Sequence, residues 1–302
     1  MKSSVKVTIG ICVKNAEESI AKVIKSVIDQ DFPREHLEVI FVDDGSTDGT
    51  LAAISDQTAN EEVKTAIFHQ DWKGLGTTRN VVLNNAHGKY VIWVDGDMIL
   101  SKDFVKKQFS FMEENPAVGV AKGKYGALVE TNLVASLENA ECILDDFLSK
   151  EKNEQITLGA GGCIYRLRAI KDVDGFDERI KGAGEDNDAE FRISGAGWLL
   201  CRSDAIFFEL ARRTWRDLWK EYFWHGSGAY YFARKDGLSA VGSLRKVFPL
   251  TAILDEVCRS FLAYELICRK GAFLLPFHWI FKRTAWLAGF VASHLRARDP
   301  NI

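Results

Sequence analysis

The sequence predicts an α/β fold: a mostly parallel, twisted sheet flanked by helices, followed by an amphipathic helical extension. Three observations carry this. Continuous apolar runs at residues 5–13, 38–42 and 90–94 each stop at a polar loop, the pattern of strands buried on both faces. Amphipathic helical stripes and turn clusters separate them. No period of 20–50 residues repeats along the 302 residues, which excludes a solenoid.

VKVTIGICV, residues 5–13, is the first predicted strand. Asn15 is expected to cap the next helix, with Glu17 and Glu18 in its first turn, where the helix dipole favours acids. Ile20, Val23, Ile24, Val27 and Ile28 supply its apolar stripe. EVIFV at 38–42 is the second strand and runs into DDGSTDGT. A helix over about 50–59 and a strand over about 63–68 follow. Residues 75–87 predict a helix that Gly88 ends, and YVIWV at 90–94 predicts a strand that stops at Asp95. This strand–helix alternation implies parallel pairing and right-handed crossovers. Ligands of such sheets sit beyond the carboxyl ends of the strands, so the loops after Val13, Val42 and Val94 are where a site is expected. Further on, residues 102–114 and 131–150 read as helices with KGKYG between them. Gly159, Gly161 and Gly162 lead into CIYRL, a short helix spans about 185–195, and an aromatic-rich helix spans 214–235.

The net charge of −3 argues against a dedicated nucleic-acid binder. That average hides an asymmetry. Residues 241–302 hold nine Lys/Arg and four Asp/Glu, a net of +5, which leaves −8 on residues 1–240. The chain is therefore expected to divide into a main domain, 1–240, and a helical extension, 241–302. The charge-free runs of the extension, Gly271–Phe281 and Thr284–Leu295, reach 11 and 12 residues. A spanning helix needs about 20. Two readings of the extension stand. It lies on a membrane face through Trp279, Trp286, Phe277, Phe281 and Phe290 beside Lys282, Arg283, Arg296 and Arg298, or it packs as a helix pair on the main domain or in a dimer. MKSSVKVTIG has no secretory apolar core, so a cytoplasmic chain, peripheral to the membrane, is expected. Six scattered cysteines without C-x-x-C suggest neither a disulfide framework nor a zinc site.

Four clusters carry chemistry. Asp95-Gly96-Asp97 closes a buried strand, and a turn at Gly96 lets both carboxylates converge on one cation. Hard oxygen donors suit Mg²⁺ or Mn²⁺ shared with phosphate. Asp43-Asp44 can accept hydrogen bonds from a base or a ribose, or can build an Asx-turn. Lys73 and Arg79 can offset a diphosphate, whereas the dinucleotide pattern G-x-G-x-x-G fails at Arg79. Glu185-Asp186-Asn187-Asp188 opens a helix, either complementing its dipole or supplying a general base. A carboxylate needs a raised pKa for that work, and Glu185 and Asp188 are placed to raise Asp186.

VTIGICVKNAEESI, VDDGSTDGT, GLGTTRN, VDGDM, VDGFDE and GEDNDAEFRISGAGW, in that order, resemble the motif series of family 2 glycosyltransferases. These are inverting enzymes of the GT-A nucleotide-diphospho-sugar transferase fold. The resemblance covers about residues 5–235. It implies that Asp44, with Asp43, meets the nucleotide base, with Arg79 and Lys73 nearby and Asn15 and Glu17 in the loop after the first strand. It implies that Asp95 and Asp97 hold the ribose and the metal-bound diphosphate, and that Asp186, beside Glu185, is the base. Gly161, Gly162 and Cys163 match the acceptor-side segment. Two departures stand out. Pro-Thr-Tyr-Asn is replaced by Cys12-Val13-Lys14-Asn15, which removes an aromatic ring near the nucleotide. Phe208–Arg212 holds no histidine where many relatives ligate metal, and His225 lies further on. The implied reaction is a Mn²⁺- or Mg²⁺-dependent inverting transfer of a sugar from a UDP or GDP donor to a hydroxyl of a glycan or lipid-linked glycan. The alternatives are a polyprenyl-phosphate sugar synthase, which needs no base, and a non-catalytic nucleotide-sugar-binding protein.

Overall fold

The computed structural model describes residues 5–128, 131–151, 157–180, 182–235 and 250–296. They form two compact units. The first draws on residues 1–126, 155–179 and 185–210; the second draws on 127–154, 180–184 and 211–302.

The first unit is built on one sheet of β1 (Val7–Val13), β2 (Leu37–Asp44), β3 (Lys64–Gln70), β4 (Tyr90–Asp95), β5 (Met98–Leu100), β6 (Val118–Tyr125), β7 (Cys163–Arg166) and β8 (Leu199–Glu209). Its order is β3-β2-β1-β4-β7-β6-β8-β5. Among the described residues the α-helices are α1 (Ile20–Ile28), α2 (Thr50–Thr58), α3 (Leu75–Asn85), α4 (Phe104–Glu114), α5 (Leu133–Glu151), α6 (Leu167–Lys171), α7 (Glu185–Gly195), α8 (Trp215–Lys235), α9 (Leu250–Ile267) and α10 (Leu275–Arg296). The strands β3, β2, β1 and β4 pair in parallel, as the alternation requires. The other half is mixed: β7 runs antiparallel to β4 and β6, β8 runs parallel to β6, and β5 is antiparallel to β8.

Period-two alternation divides the core between the two faces. Val7, Ile9, Ile11 and Val13 of β1, with Tyr90, Ile92 and Val94 of β4, pack with the α1 stripe and with Phe104 and Met112 of α4. Val91 and Trp93 face the other way, toward Val82, Leu83, Tyr165 and Phe176. Gly10 makes this possible, since a Cβ there would stand 2.8 Å from the Trp93 ring.

Two local expectations are corrected. The first helix starts at Ile20 with Ser19 as its N-cap, not at Asn15. Asn15 takes a positive φ of 52° and bridges to the next loop instead. The third helix ends at Asn85, and Gly88 lies past it in close contact with Thr8. Strands β5 and β8, and most of β6, lie outside the sequence expectations. The inward positions of β6 and β8 include Lys122 and Ser203, so no apolar run announces them.

The second unit is helical. Helices α8 and α10 cross closely because Gly226 abuts the Trp286 carbonyl and Gly289 abuts the Phe223 carbonyl, and a Cβ at either would collide. The aromatic residues of α8 serve this packing: the Trp215 and Trp219 rings lie 4.9 and 5.5 Å from that of Phe281. Tyr222 stacks on His225 at 5.4 Å. Trp279, Lys282 and Phe290, expected among the membrane anchors, are buried. Arg298 lies outside the described residues.

Lys282 Nζ donates to Glu138 Oε1 at 2.9 Å and to Glu141, and it sits 4.4 Å from the Tyr222 ring centre. His278, fully buried, places Nε2 2.8 Å from Glu138 Oε1 and Nδ1 3.2 Å from Glu141 Oε2. Glu138, Glu141 and His278 offer donor atoms within 4.8 Å of one another, the reach of a metal site. The Lys282 ammonium already bridges both carboxylates and, with His278, whose pKa they raise against the effect of burial, offsets their charge. Burial works to raise Glu141, but Lys282 and His278 outweigh it and hold its carboxyl down at about 2.

A depressed carboxyl stabilises the fold above its unfolded pKa and ceases to as pH falls through the folded value. Stability should therefore drop between pH 4.5 and about 2, by on the order of 3 kcal/mol from this group. Urea unfolding followed across that range should show the loss in the wild type and a shallower one in Glu141→Gln. Lys282→Met, which removes the ammonium bridging Glu138 and Glu141 and leaves them to His278, should cost about 3–5 kcal/mol at neutral pH.

Candidate active site

The site residues gather at the carboxyl ends of β1, β2 and β4, on the first turns of α3 and α7, and on the Leu158–Gly162 segment. Their centre is Arg79. This guanidinium, on α3, is almost wholly buried. It donates to Glu185 Oε1 and lies 3.7 Å from Asp95 Oδ1 and 3.9 Å from Asp186 Oδ2. The rings of Trp93 and Phe176 flank it at 5.8 and 5.5 Å. A buried guanidinium keeps its charge, so carboxylates must come to it. Sequence reading placed Arg79 beside a diphosphate; the structure places it among three acids.

The environment separates the acids. Burial pushes the Glu185 carboxyl up to about 8, with Arg79 pulling against it and Asp186 adding to it. Its Oε2 is buried with no hydrogen-bond partner among the described residues. Burial also acts to raise Asp186, but Arg79, the N–H groups of Ala160 and Asn187, and Lys122 hold it below the ordinary aspartate range. Ala160 N donates to Asp186 Oδ2 at 3.0 Å. The expectation that Glu185 and Asp188 raise Asp186 is thus overturned. Asp188 is engaged elsewhere, paired with Arg192 at 2.7 Å.

Asp95 is more open, with 42% of its side chain exposed. Burial raises its pKa, Arg79 opposes, and Asp97 and Asp186 add to the rise. Asp97 follows two residues on, in the turn between β4 and β5. Gly161 leaves the room Asp95 needs: a Cβ there would collide with Asp95 Oδ2 and stand 3.0 Å from Met98 Cε. Oxygen donors on an acidic turn fit a hard divalent cation.

The remaining expected residues form an adjoining network. Asp44 accepts from Gln70 Nε2 at 2.8 Å, Lys73 N at 2.9 Å and Gly74 N at 3.0 Å, so it pins the loop before α3. Asp43 accepts from Ser46 Oγ and lies 2.7 Å from His69 Nδ1. Asn15 Oδ1 accepts from Thr47 N at 2.8 Å, and Glu17 Oε2 accepts from Gly49 N at 3.0 Å. These bonds stitch the β1–α1 loop to the β2–α2 loop. Lys73 is exposed on the rim. Cys12 links the two groups: burial pushes its thiol up to about 12, and Arg79, Asp95, Glu185 and Asp44 all act on it.

Three residues were missed by sequence reasoning. Glu190 accepts from Leu158 N, from Gly159 N at 3.1 Å and from the Tyr165 hydroxyl at 2.6 Å. Buried Lys122 donates to Leu158 O at 2.6 Å. Together they hold the glycine segment against Asp186. Trp72, half exposed, lies beside the Asp44 loop with the Lys14 ammonium 5.3 Å from its ring centre. Lys14 is the residue that stands where the family motif has its tyrosine. The acidic helix start pointed to Glu185 and Asp186, but nothing local marks Glu190, Lys122 or Trp72.

The sequence model of Glycosyl transferase family 2 matches residues 8–173. The chain is 28% identical over 269 residues to the poly(ribitol-phosphate) beta-N-acetylglucosaminyltransferase TarS of Staphylococcus aureus strain Mu50, covering 86% of this chain and 43% of that protein. It is 37% identical over 100 residues to the putative teichuronic acid biosynthesis glycosyltransferase TuaG of Bacillus subtilis strain 168, covering 33% of this chain and 39% of that one. The chain therefore spans less than half the length of these relatives. Among solved structures, the mannosyltransferase PcManGT of Pyrobaculum calidifontis, in complex with GDP-Man and Mn²⁺, superposes with a TM-score of 0.66 at 17% identity, covering 97% of this chain and 88% of that one. TarS 1–349 of S. aureus, in complex with UDP, gives a TM-score of 0.54 at 20% identity, covering 97% and 91%. These likenesses show the GT-A fold.

Arg79→Met should strand its acids. The loss expected is about 3–5 kcal/mol of unfolding free energy, read by urea denaturation. Arg79→Lys should recover part of it, because a point charge replaces a planar fork.

Proposed function

Since the chain belongs to Glycosyl transferase family 2, we propose that it transfers a sugar from a nucleotide-diphosphate donor to an acceptor hydroxyl, with inversion at the anomeric carbon. The observation that carries this reading is the convergence of Asp95, Asp186 and Glu185 on Arg79, with Asp97 beside Asp95. Asp95 and Asp97 would hold a divalent cation, Mn²⁺ or Mg²⁺, which supplies neutralising charge to the diphosphate when bound. The base end of the donor is proposed to meet the Asp44 loop, with the Trp72 face available for stacking. UDP and GDP are both candidate nucleotides.

Asp186 is the proposed base. It is ionised at neutral pH, is fixed by Ala160 N–H, and keeps a fifth of its side chain open, whereas Glu185 is sealed against Arg79. The acceptor oxygen attacks the anomeric carbon as the bond to the diphosphate oxygen breaks. The hydroxyl proton then passes to Asp186. The hydroxyl becomes strongly acidic as the new bond forms, so a carboxylate of low pKa suffices late in the reaction. One displacement with one base inverts the centre. The acceptor class proposed is a glycan or lipid-linked glycan, met at the cytoplasmic membrane face. A proton-accepting carboxylate favours this over a polyprenyl-phosphate acceptor, which is already an anion.

Asp186→Asn should lower turnover by about a thousandfold or more while thermal shift by UDP or GDP with Mn²⁺ persists; near-normal turnover would remove Asp186 from the role. Gly161→Ala should keep the fold and displace the Asp95 carboxylate. Its Mn²⁺-dependent nucleotide binding, read by calorimetry, should weaken about tenfold or more, and full wild-type activity in excess chelator would exclude the cation role of Asp95 and Asp97.

A further inference from the structure

The helical unit carries an exposed apolar face that the chemistry above does not use. On α9, Leu254, Val257, Phe261 and Tyr264 form one helical stripe, and all are exposed, Leu254 at 69% and Phe261 at 57%. The Phe273 ring, from the turn that follows, lies 5.2 Å from those of Phe261 and Tyr264. Leu274 and Phe277, the latter 70% exposed, carry the face onto α10. A contiguous aromatic patch of this kind needs a partner, unlike single surface leucines.

The charge around it identifies the partner. Residues 266–298 contain no Asp or Glu and six Lys/Arg. Lys282 is internal and paired with Glu138 and Glu141. Arg269 and Lys270 lie exposed at the turn beside Phe273, and Arg283 is exposed on α10. The exposed acids on the stripe side are Asp255 and Glu265. In a symmetric pair, where one patch serves both copies, Asp255 and Glu265 alone would answer the basic side chains of this patch. No described helix is long and apolar enough to cross a membrane. An anionic lipid surface satisfies both features, with aromatic side chains in the headgroup layer and basic ones on phosphates.

We propose that this face, with Phe273, Leu274 and Phe277 inserted and Arg269 and Lys270 on the lipid phosphates, docks the protein on an anionic membrane surface. The proposal makes specific the membrane part of the function proposed above and is independent of the transfer chemistry. It keeps Phe277 of the expected anchors and puts residues of the α9–α10 turn in place of Trp279, Lys282 and Phe290, which are buried.

The test is co-sedimentation of the full chain with phosphatidylcholine vesicles with and without about 30% phosphatidylglycerol. Binding should appear with the anionic lipid and fall about tenfold or more without it. The double variant Leu274→Glu/Phe277→Glu should lose it to a similar degree, as should Arg269→Glu/Lys270→Glu, both at unchanged melting temperature. Equal sedimentation of wild type and variants, or none for the wild type, would overturn the proposal. So would a vesicle-free dimer, seen by light scattering, that Leu274→Glu/Phe277→Glu dissolves. Inorganic phosphate that releases the protein no better than chloride of equal ionic strength points to the lipid surface; specific release by phosphate would overturn it in favour of a phosphate site. Thermal shift by UDP or GDP with Mn²⁺ should be unaffected in both variants. Its absence from the wild type, with vesicle binding intact, would strike the transfer reading and leave this surface standing.

Discussion

The first unit depends on one charge that cannot be neutralised. Arg79 is buried on the first turns of α3, and a guanidinium in that setting costs several kcal/mol unless acids surround it. It therefore draws in Glu185 and Asp186 from α7 and Asp95 from β4, while Trp93 and Phe176 exclude water from its faces. Three elements distant in sequence are held at one point by that requirement. The acids nonetheless differ: burial keeps Glu185 high, whereas the Ala160 and Asn187 N–H groups and Lys122 join Arg79 in holding Asp186 low, although the two are chain neighbours. Geometry of approach and exposure, more than residue type, decides which carboxylate holds a proton.

The sequence made legible whatever depends on local pattern. The strands before Asp43 and Asp95 read as apolar runs, so the acids at their ends could be placed at the mouth of a sheet, and the acids opening α7 could be placed on a helix start. Strands β6 and β8 escaped because their inward positions include Lys122 and Ser203, which pair with groups far along the chain. Asn15 escaped as well: its type suits a helix cap, yet Thr47 and Ser46, some thirty residues on, claim it. Glu190 reads as an ordinary helix acid, and only the fold brings Leu158, Gly159 and Tyr165 to it. Residues whose role is to satisfy a distant backbone leave no periodic trace.

The basic tail has a two-part physical explanation. Lys282 is an internal charge, consumed by Glu138 and Glu141 and covered by Tyr222. Arg269 and Lys270 are exposed at the turn that carries the exposed Phe273, and Arg283 is exposed over the buried Trp279 ring. The same composition thus serves packing at one place and surface at another. Counting charges over residues 241–302 could not separate these, because the distinction lies in which helix face each residue occupies.

The protons around Asp186 bear on its proposed role. Burial, with Asp186 nearby, pushes the Glu190 carboxyl up to about 7, and Glu185 stands at about 8. If all three were ionised, Arg79 and Lys122 would oppose them. The upward shifts of Glu185 and Glu190 ease that repulsion and leave Asp186 the most firmly ionised of the three. Raising the pH through this range would ionise both neighbours and make Asp186 a stronger base, but it would also load the Leu158–Gly162 segment with unbalanced charge. The segment that orients Asp186 is hydrogen-bonded to Glu190 on one side and to Lys122 on the other. Glu190 therefore bears on both the strength and the position of the base, and a change there that improves one disturbs the other.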